Sequence, residues 1–276
     1  MIKEIENLLK SAGIEEASAE AKLIATSISN QTIEEIILNK DIKNKDEILK
    51  VVNERIKTGK PVQQILGFGY FMNSKYKVNE DVLIPRDETE LLVIEGYNLV
   101  KNIQGKINIL EIGTGSGCIC IELAKKLKDK DIEILSVDIS SSAIQTALEN
   151  ADSMGVIRKV IFRKSDIYSK IRPIEKFDLI ISNPPYIPLS QKEYLQKEVL
   201  FEPENALFTN DDEGLEYYKK IISDARQFLK PSGYVAFELG QGQSEKVQDI
   251  FKINNFKNIN ITKDLAGIER VISAEI

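Results

Sequence analysis

The sequence predicts an α/β protein whose main part is a doubly wound sheet, and three observations predict it. From Ile107 onward, short apolar runs alternate with helical stretches, as strands and crossover helices do in such a sheet. The first of those runs opens into a glycine turn, Gly113-Thr114-Gly115-Ser116-Gly117. The first sixty or so residues carry only a helical period, so they form a separate part. With 276 residues, 42% hydrophobic and 29% charged, the chain has enough apolar material for a full core.

The elements follow in chain order. Ile2, Ile5, Leu8 and Leu9 recur at helical spacing and Gly13 ends that helix. Met1 to Glu6 is charged and helical in pattern, which is not how a signal peptide reads. An alanine-rich stretch over 15–28 is a second helix, and Thr32-Ile33-Glu34-Glu35 is a capping-box opening for a third. Ile48, Val51, Val52 and Ile56 mark a fourth, closed by Gly59-Lys60-Pro61. Residues 1–61 are therefore a small helical bundle. Residues 62–84 are glycine- and aromatic-rich with short alternation, the pattern of a β-hairpin or extended linker. A helix over 87–101 opens the third part, 85–276. Its expected strands are 107–112, 132–137, 160–162, 177–181, 234–239, 256–261 and 270–274, with helices near 117–128, 141–153, 214–229 and 243–253.

Composition excludes several chemistries. There is no histidine, so Ser–His and Cys–His nucleophiles and the commonest metal ligand are out. Cys118 and Cys120 are a lone pair and read as small buried hydrophobes rather than a disulfide framework or zinc site. Cytoplasm is the default compartment for such a chain. No apolar run is long enough for a membrane helix. The net charge of −6 offers no basic footprint for nucleic acid.

Four segments carry candidate chemistry, each after a successive strand. The turn Gly113–Gly117 follows the first strand, and its spacing departs from the G-x-G-x-x-G of a pyrophosphate site. It suits a nucleoside whose tail carries no phosphate, against the plainer reading of a structural glycine turn. Asp138 ends the second strand, about twenty residues on, where an acid can accept both ribose hydroxyls. Asp166 and Ile167 follow the third strand, where an acid could accept from an adenine amino group and an apolar side chain could pack on the ring. An ordinary turn aspartate competes with that reading. Asn183-Pro184-Pro185-Tyr186 follows the fourth strand. Consecutive prolines cannot extend a ladder and hold the chain stiffly. A carboxamide and a phenol ring are thus presented where open α/β sheets bind ligands.

These residues resemble those of a class I S-adenosylmethionine-dependent methyltransferase, with a Rossmann-like seven-stranded mixed sheet and helices on both faces. More narrowly, the chain is similar to the release factor glutamine methyltransferase family. The segments that carry the likeness are Gln64-Ile65-Leu66-Gly67, Val82 to Glu90, Glu111 to Gly117, Ser182 to Ile187, Glu202-Pro203, Asp212 to Leu215 and Asp264 to Gly267. The resemblance implies methyl transfer from S-adenosyl-L-methionine, leaving S-adenosyl-L-homocysteine. The acceptor it implies is the side-chain amide nitrogen (N5) of the Gly-Gly-Gln glutamine in class 1 peptide chain release factors, which modulates translation termination. It implies no metal, no direct nucleic-acid contact and no membrane. Gly113, Thr114, Gly115, Ser116 and Gly117 would line the methionine part, Asp138 the ribose, and Asp166 and Ile167 the adenine, with Asn183 bordering the cofactor. Asn183, Pro184, Pro185 and Tyr186 would hold the glutamine. Asp87 stands where the family usually has proline, and Ile167 where some members carry an aromatic ring. The leading bundle would dock the protein substrate, or simply cover the catalytic part.

An amide nitrogen is a poor nucleophile because its lone pair is delocalised, so catalysis here is orientation and rehybridisation. The expected roles are Asn183 Oδ1 accepting one N–H of the target, the Pro184 carbonyl accepting the other, and the Tyr186 ring packing on the amide face. Other readings of the same loop are another protein glutamine or ribosomal-protein methyltransferase, an adenine-N6 DNA methyltransferase acting on a flipped base, and a non-enzymatic cofactor-binding adaptor.

Overall fold

Helical periodicity produces five helices in the leading segment: α1 (Ile2–Ser11), α2 (Ala17–Ser29), α3 (Ile33–Asn39), α4 (Lys45–Thr58) and α5 (Val62–Leu66). The structure, a computed structural model, describes residues 1–39 and 42–276. It divides into two units, Met1–Phe68 with Gln196–Phe201, and Gly69–Leu195 with Glu202–Ile276. In the first unit Ile5, Leu9, Ile24, Ile48 and Val52 are fully buried, each contributing about 2 kcal/mol relative to exposure. The capping box forms: Thr32 Oγ1 accepts the Glu35 N–H at 3.2 Å and Glu35 Oε2 accepts the Thr32 N–H at 2.8 Å. Arg55 is buried, with Nη2 donating to Glu20 Oε1 at 2.8 Å and Nη1 to the Gly59 carbonyl at 2.9 Å. Glu198 completes its ion pairs. Residues 62–66, expected as the start of an extended linker, form α5 instead. Pro61 precedes the helix and Gly67 closes it in the left-handed region, and Val62 and Gln64 are buried.

The hairpin expected next is present as β1 (Phe68–Phe71) and β2 (Ser74–Lys77). Met72 and Asn73 both have positive φ, as a two-residue hairpin turn requires. The second unit continues with α6 (Thr89–Val100), β3 (Ile107–Ile112), α7 (Cys118–Lys126), β4 (Ile132–Asp138), α8 (Ser141–Ser153), β5 (Val160–Lys164) and β6 (Phe177–Ser182). After these come β7 (Ile187–Pro188), α9 (Glu204–Leu207), β8 (Phe208–Thr209), α10 (Glu216–Ala225), β9 (Leu229–Glu238), α11 (Ser244–Ile253), β10 (Lys257–Lys263) and β11 (Glu269–Glu275).

Seven strands form one mixed sheet in the order β10-β11-β9-β6-β3-β4-β5, with β11 antiparallel to both its neighbours and the remaining pairings parallel. Alternation sorts the side chains. Leu110, Ile112, Ile180, Val235 and Phe237 pack on one face with α10 and α11 residues. Ile107, Ile109, Leu179, Ile181 and Ala236 pack on the other with α6 and α7 residues. The doubly wound sheet is as the alternation predicts, and its order reverses between β3 and β6.

Two boundaries differ from the sequence reading for a physical reason. β9 begins at Leu229, not 234, because Pro231, Ser232 and Gly233, which read as a turn, lie in the strand where the β6–β9 register shifts. Ser232 has φ 58 there, as an irregular strand position tolerates. The helix expected to reach 229 therefore stops at Ala225. The short parallel pair β7–β8 carries too few residues for periodicity to show.

Candidate active site

The carboxyl ends of β3, β4, β5 and β6 are bound to one another by hydrogen bonds. Ser182 Oγ donates to the Ile112 carbonyl at 2.6 Å. The Gly113 and Thr114 N–H groups donate to the Val137 carbonyl at 2.8 and 3.1 Å, and the Ser165 N–H to the Asp138 carbonyl at 2.9 Å. These bonds bring the four predicted segments together at the point where strand order reverses, the usual ligand crevice of such sheets.

They wall one cavity. Gly113, Thr114, Gly115, Ser116, Asp138, Asp166, Ile167, Asn183, Pro184 and Pro185 all line it. Gly117 and Tyr186, expected as binding residues, do not. A Cβ at Gly117 would lie 3.0 Å from Ala147 Cβ and 3.1 Å from Ile121 Cδ1, and its φ is +81. Its glycine therefore serves a left-handed turn and close helix packing. The Tyr186 ring lies against Gly240, where a Cβ would be 2.9 Å from Tyr186 Cδ2. Its carbonyl accepts from Gln243 Nε2 at 3.0 Å, and burial pushes its phenol well above the ordinary range.

The remaining wall offers open backbone and acidic side chains. A Cβ at Gly115 would meet nothing within 4 Å, and at Gly113 only the Asn183 carbonyl at 3.8 Å, so backbone faces open space there. Asp138 Oδ2 accepts the Gly115 N–H at 2.9 Å and Oδ1 the Ser140 N–H at 2.8 Å. Each oxygen keeps a lone pair for a hydroxyl. Burial raises the Asp138 pKa, and the hydrogen bonds from Gly115, Ser140 and Ile139 oppose that. Ile167 has φ +47, a genuine outlier for a β-branched residue. Ser165 Oγ holds it there, donating to the Ile167 carbonyl at 2.9 Å and accepting the Lys170 N–H at 3.0 Å.

Several lining residues were not among the expected site residues. Thr89, at the start of α6, and Tyr217, on α10, reach the cavity from outside the strand ends. Burial raises the Tyr217 phenol, with Glu216 and Asp166 adding to that and Lys220 opposing it. An aromatic residue thus lines the same cavity as Ile167. Arg86 also lines the cavity and pairs with Glu202, whose Oε2 accepts the Ile84 N–H at 2.9 Å. Two segments that carried the family likeness thus meet across 116 residues of sequence. Cys118 lines the wall, and burial pushes its thiol up to about 12, so it is no nucleophile at neutral pH. Among the described residues no group of His, Cys, Asp and Glu side chains could hold a metal ion, and no helix is long and apolar enough to cross a membrane.

Fold and site define a class I methyltransferase domain. Residues 103–270 match the family model described as a methyltransferase domain, and residues 1–67 match the PrmC N-terminal domain. The fold resembles the hMettl16 catalytic domain solved in complex with MAT2A 3′UTR hairpin 6, with a TM-score of 0.59 and 15% identity over 82% of this chain and 79% of that one. The release factor glutamine methyltransferase of Bacillus subtilis (strain 168) is 36% identical over 283 residues, 100% of this chain and 96% of that protein. That of Fusobacterium nucleatum subsp. nucleatum is 41% identical over 241 residues, 86% of this chain and 67% of that protein. The chain belongs to the release factor glutamine methyltransferase family.

Proposed function

We propose that this protein methylates the side-chain amide nitrogen of the glutamine in the Gly-Gly-Gln motif of class 1 peptide chain release factors, using S-adenosyl-L-methionine. One observation carries the reading: a single cavity is walled by the glycine turn, Asp138, Asp166 with Ile167, and the Asn183-Pro184-Pro185 loop, in a chain of this family.

In this reading the backbone of Gly113 to Ser116 lies along the methionine part, Asp138 accepts the ribose hydroxyls, and Asp166 accepts from the adenine amino group. Ile167 and Tyr217 give apolar surface beside it. The bound sulfonium supplies an electrophilic methyl group. The residues of the Asn-Pro-Pro loop supply orientation. Asn183 Oδ1 and the Pro184 carbonyl accept the two N–H bonds of the target amide. Two acceptors out of the amide plane favour a pyramidal nitrogen with its lone pair turned toward the methyl group. Both contacts tighten as the nitrogen rehybridises, so they stabilise the transition state more than the ground state. The nitrogen sheds its proton late, to water or a carbonyl, so no imidazole is needed. Helices α1 to α5 dock the protein substrate.

The test is incubation with purified release factor and labelled S-adenosylmethionine. Label on the Gly-Gly-Gln glutamine, absent from a substrate in which that glutamine is alanine, is the expected result. Equal labelling of both substrates refutes the assignment.

A further inference from the structure

A buried carboxylate lies behind the Asn-Pro-Pro loop, and the reaction described above leaves it unused. Glu238 ends β9 and is 3% exposed. It shares a sheet face with Ala236, the face on which α6 packs. Thr89, the first residue of α6, is equally buried. Its Oγ1 donates to Glu238 Oε2 at 2.6 Å and accepts from Asn183 Nδ2 at 3.3 Å. Glu238 reaches the Asn183 carboxamide through the Thr89 hydroxyl. Two elements remote from the loop in sequence thus converge on one edge of the Asn183 carboxamide.

That convergence has a chemical consequence. A carboxylate accepts hydrogen bonds and cannot donate them, so it claims the Thr89 proton and leaves that hydroxyl only lone pairs for the NH2 edge of the amide. Asn183 turned this way presents Oδ1 on the opposite edge. The flipped rotamer would set its oxygen against the Thr89 oxygen, whose proton Glu238 holds, and aim a donor where an acceptor is needed. We propose that Glu238, acting through the Thr89 hydroxyl, is a positioning residue that fixes the flip of the Asn183 carboxamide so that Oδ1 faces the target amide. The proposal rests on the function argued above. Glu238 itself touches neither substrate.

The charge state of this device is set by its surroundings. Burial pushes the Glu238 carboxyl up to about 7, against the Thr89 hydrogen bond; Glu88 pushes the same way, and Arg270 and Asn183 oppose it. Cys118, Tyr186 and Tyr218 also sense its charge. Once protonated, Glu238 carries a donor and no longer discriminates the two edges of Asn183. Selection of the correct flip therefore strengthens as pH rises through neutrality.

The experiment compares full-length wild type with Glu238→Gln, Thr89→Val and Thr89→Ser on purified release factor. It reads kcat, both KM values, the S-adenosylmethionine dissociation constant, and hydrogen exchange of the Asn183 side-chain amide by NMR without substrate. Glu238→Gln is expected to lower kcat on the order of 100-fold, while the dissociation constant moves by less than about threefold. The wild-type kcat is expected to fall as pH drops below about 7, and Glu238→Gln to lose that acid limb. Thr89→Val should lower kcat in the same manner, and Thr89→Ser should restore most of the loss because it restores the hydroxyl. Both damaging variants should expose the Asn183 amide to faster exchange. Wild-type kcat in either folded damaging variant overturns the proposal, as does unchanged Asn183 exchange. If Glu238→Gln does not fold, Thr89→Val alone decides on the same readouts. A wild type that leaves release factor unlabelled defeats the proposed function, and the exchange measurement still judges the Asn183 geometry.

Discussion

Asn183 and Asp138 line the same wall with different atoms at stake, so their removal separates turnover from binding. Asn183→Ala deletes the acceptor proposed for the transition state; turnover should fall at least about 100-fold while calorimetry finds S-adenosylmethionine still bound. Asp138→Ala deletes the carboxylate proposed to hold the ribose and should weaken that binding about 10- to 100-fold. Near-normal turnover by the first variant, or normal affinity in the second, would contradict the roles proposed. A third buried acid affects stability. Glu111 is fully buried, with Oε2 accepting from Ser136 and Oε1 unpartnered among the described residues, and burial pushes its carboxyl up to about 7. A carboxyl that holds its proton more tightly folded than unfolded adds stability that is full below the unfolded carboxylate range, near 4.5, and lost as pH rises through about 7. Wild type should therefore lose stability relative to Glu111→Gln across that window, measured by urea unfolding at its two ends. The carboxylates and the loop were legible as residues. Glu238 was not, because an acid at the end of an apolar strand gives no sign of which side chain it will meet.

At the scale of elements, helix α6 shows how closely a crossover segment approaches the sheet. A Cβ at Gly96 would lie 2.8 Å from Ile181 Cδ1 and 3.4 Å from Leu179 Cδ2. On an exposed helix face, glycine to alanine stabilises by about 1 kcal/mol. Here overpacking should win, and Gly96→Ala should destabilise by about 1–3 kcal/mol, read as a lower urea midpoint with unchanged slope. A raised midpoint would mean that the contact relaxes freely. Strands β3, β4 and β6 were legible because both of their faces are buried, which leaves near-continuous apolar runs. Helix α5 was not, since five residues between a proline and a glycine carry too little period. The early start of β9 was hidden because Pro231 and Gly233 mark turns in most contexts, and only pairing with β6 keeps them in a strand.

For the whole molecule, the division into two units has an energetic reading. Ile5, Leu9, Ile24, Ile48 and Val52 form one core, and the sheet carries its own on both faces. Arg55 is the buried cation of the first unit, and removing it strands Glu20, which is 8% exposed. Arg55→Ala should destabilise that unit by about 3–5 kcal/mol, seen as an earlier calorimetric transition. S-adenosylmethionine affinity should stay within about twofold, because every residue lining the cavity lies between Asp81 and Ile221 of the second unit. A parallel loss of affinity would show that the units do not act independently.

The sequence by itself determined the class of fold, the order of its main strands and helices and the four strand ends that carry candidate residues, because periodicity, glycine turns and proline stiffness are local properties of the chain. It also carried the family likeness, through segments such as Ile84-Pro85-Arg86 and Glu202-Pro203. Only the tertiary structure decided which of those residues share a wall. It set Gly117 against α8 and Tyr186 against Gly240, brought Tyr217 to the cavity that Asp166 lines, and placed Thr89 and Glu238 behind Asn183. Those contacts join residues far apart in the chain. They depend on sheet order and helix docking, which no local pattern encodes.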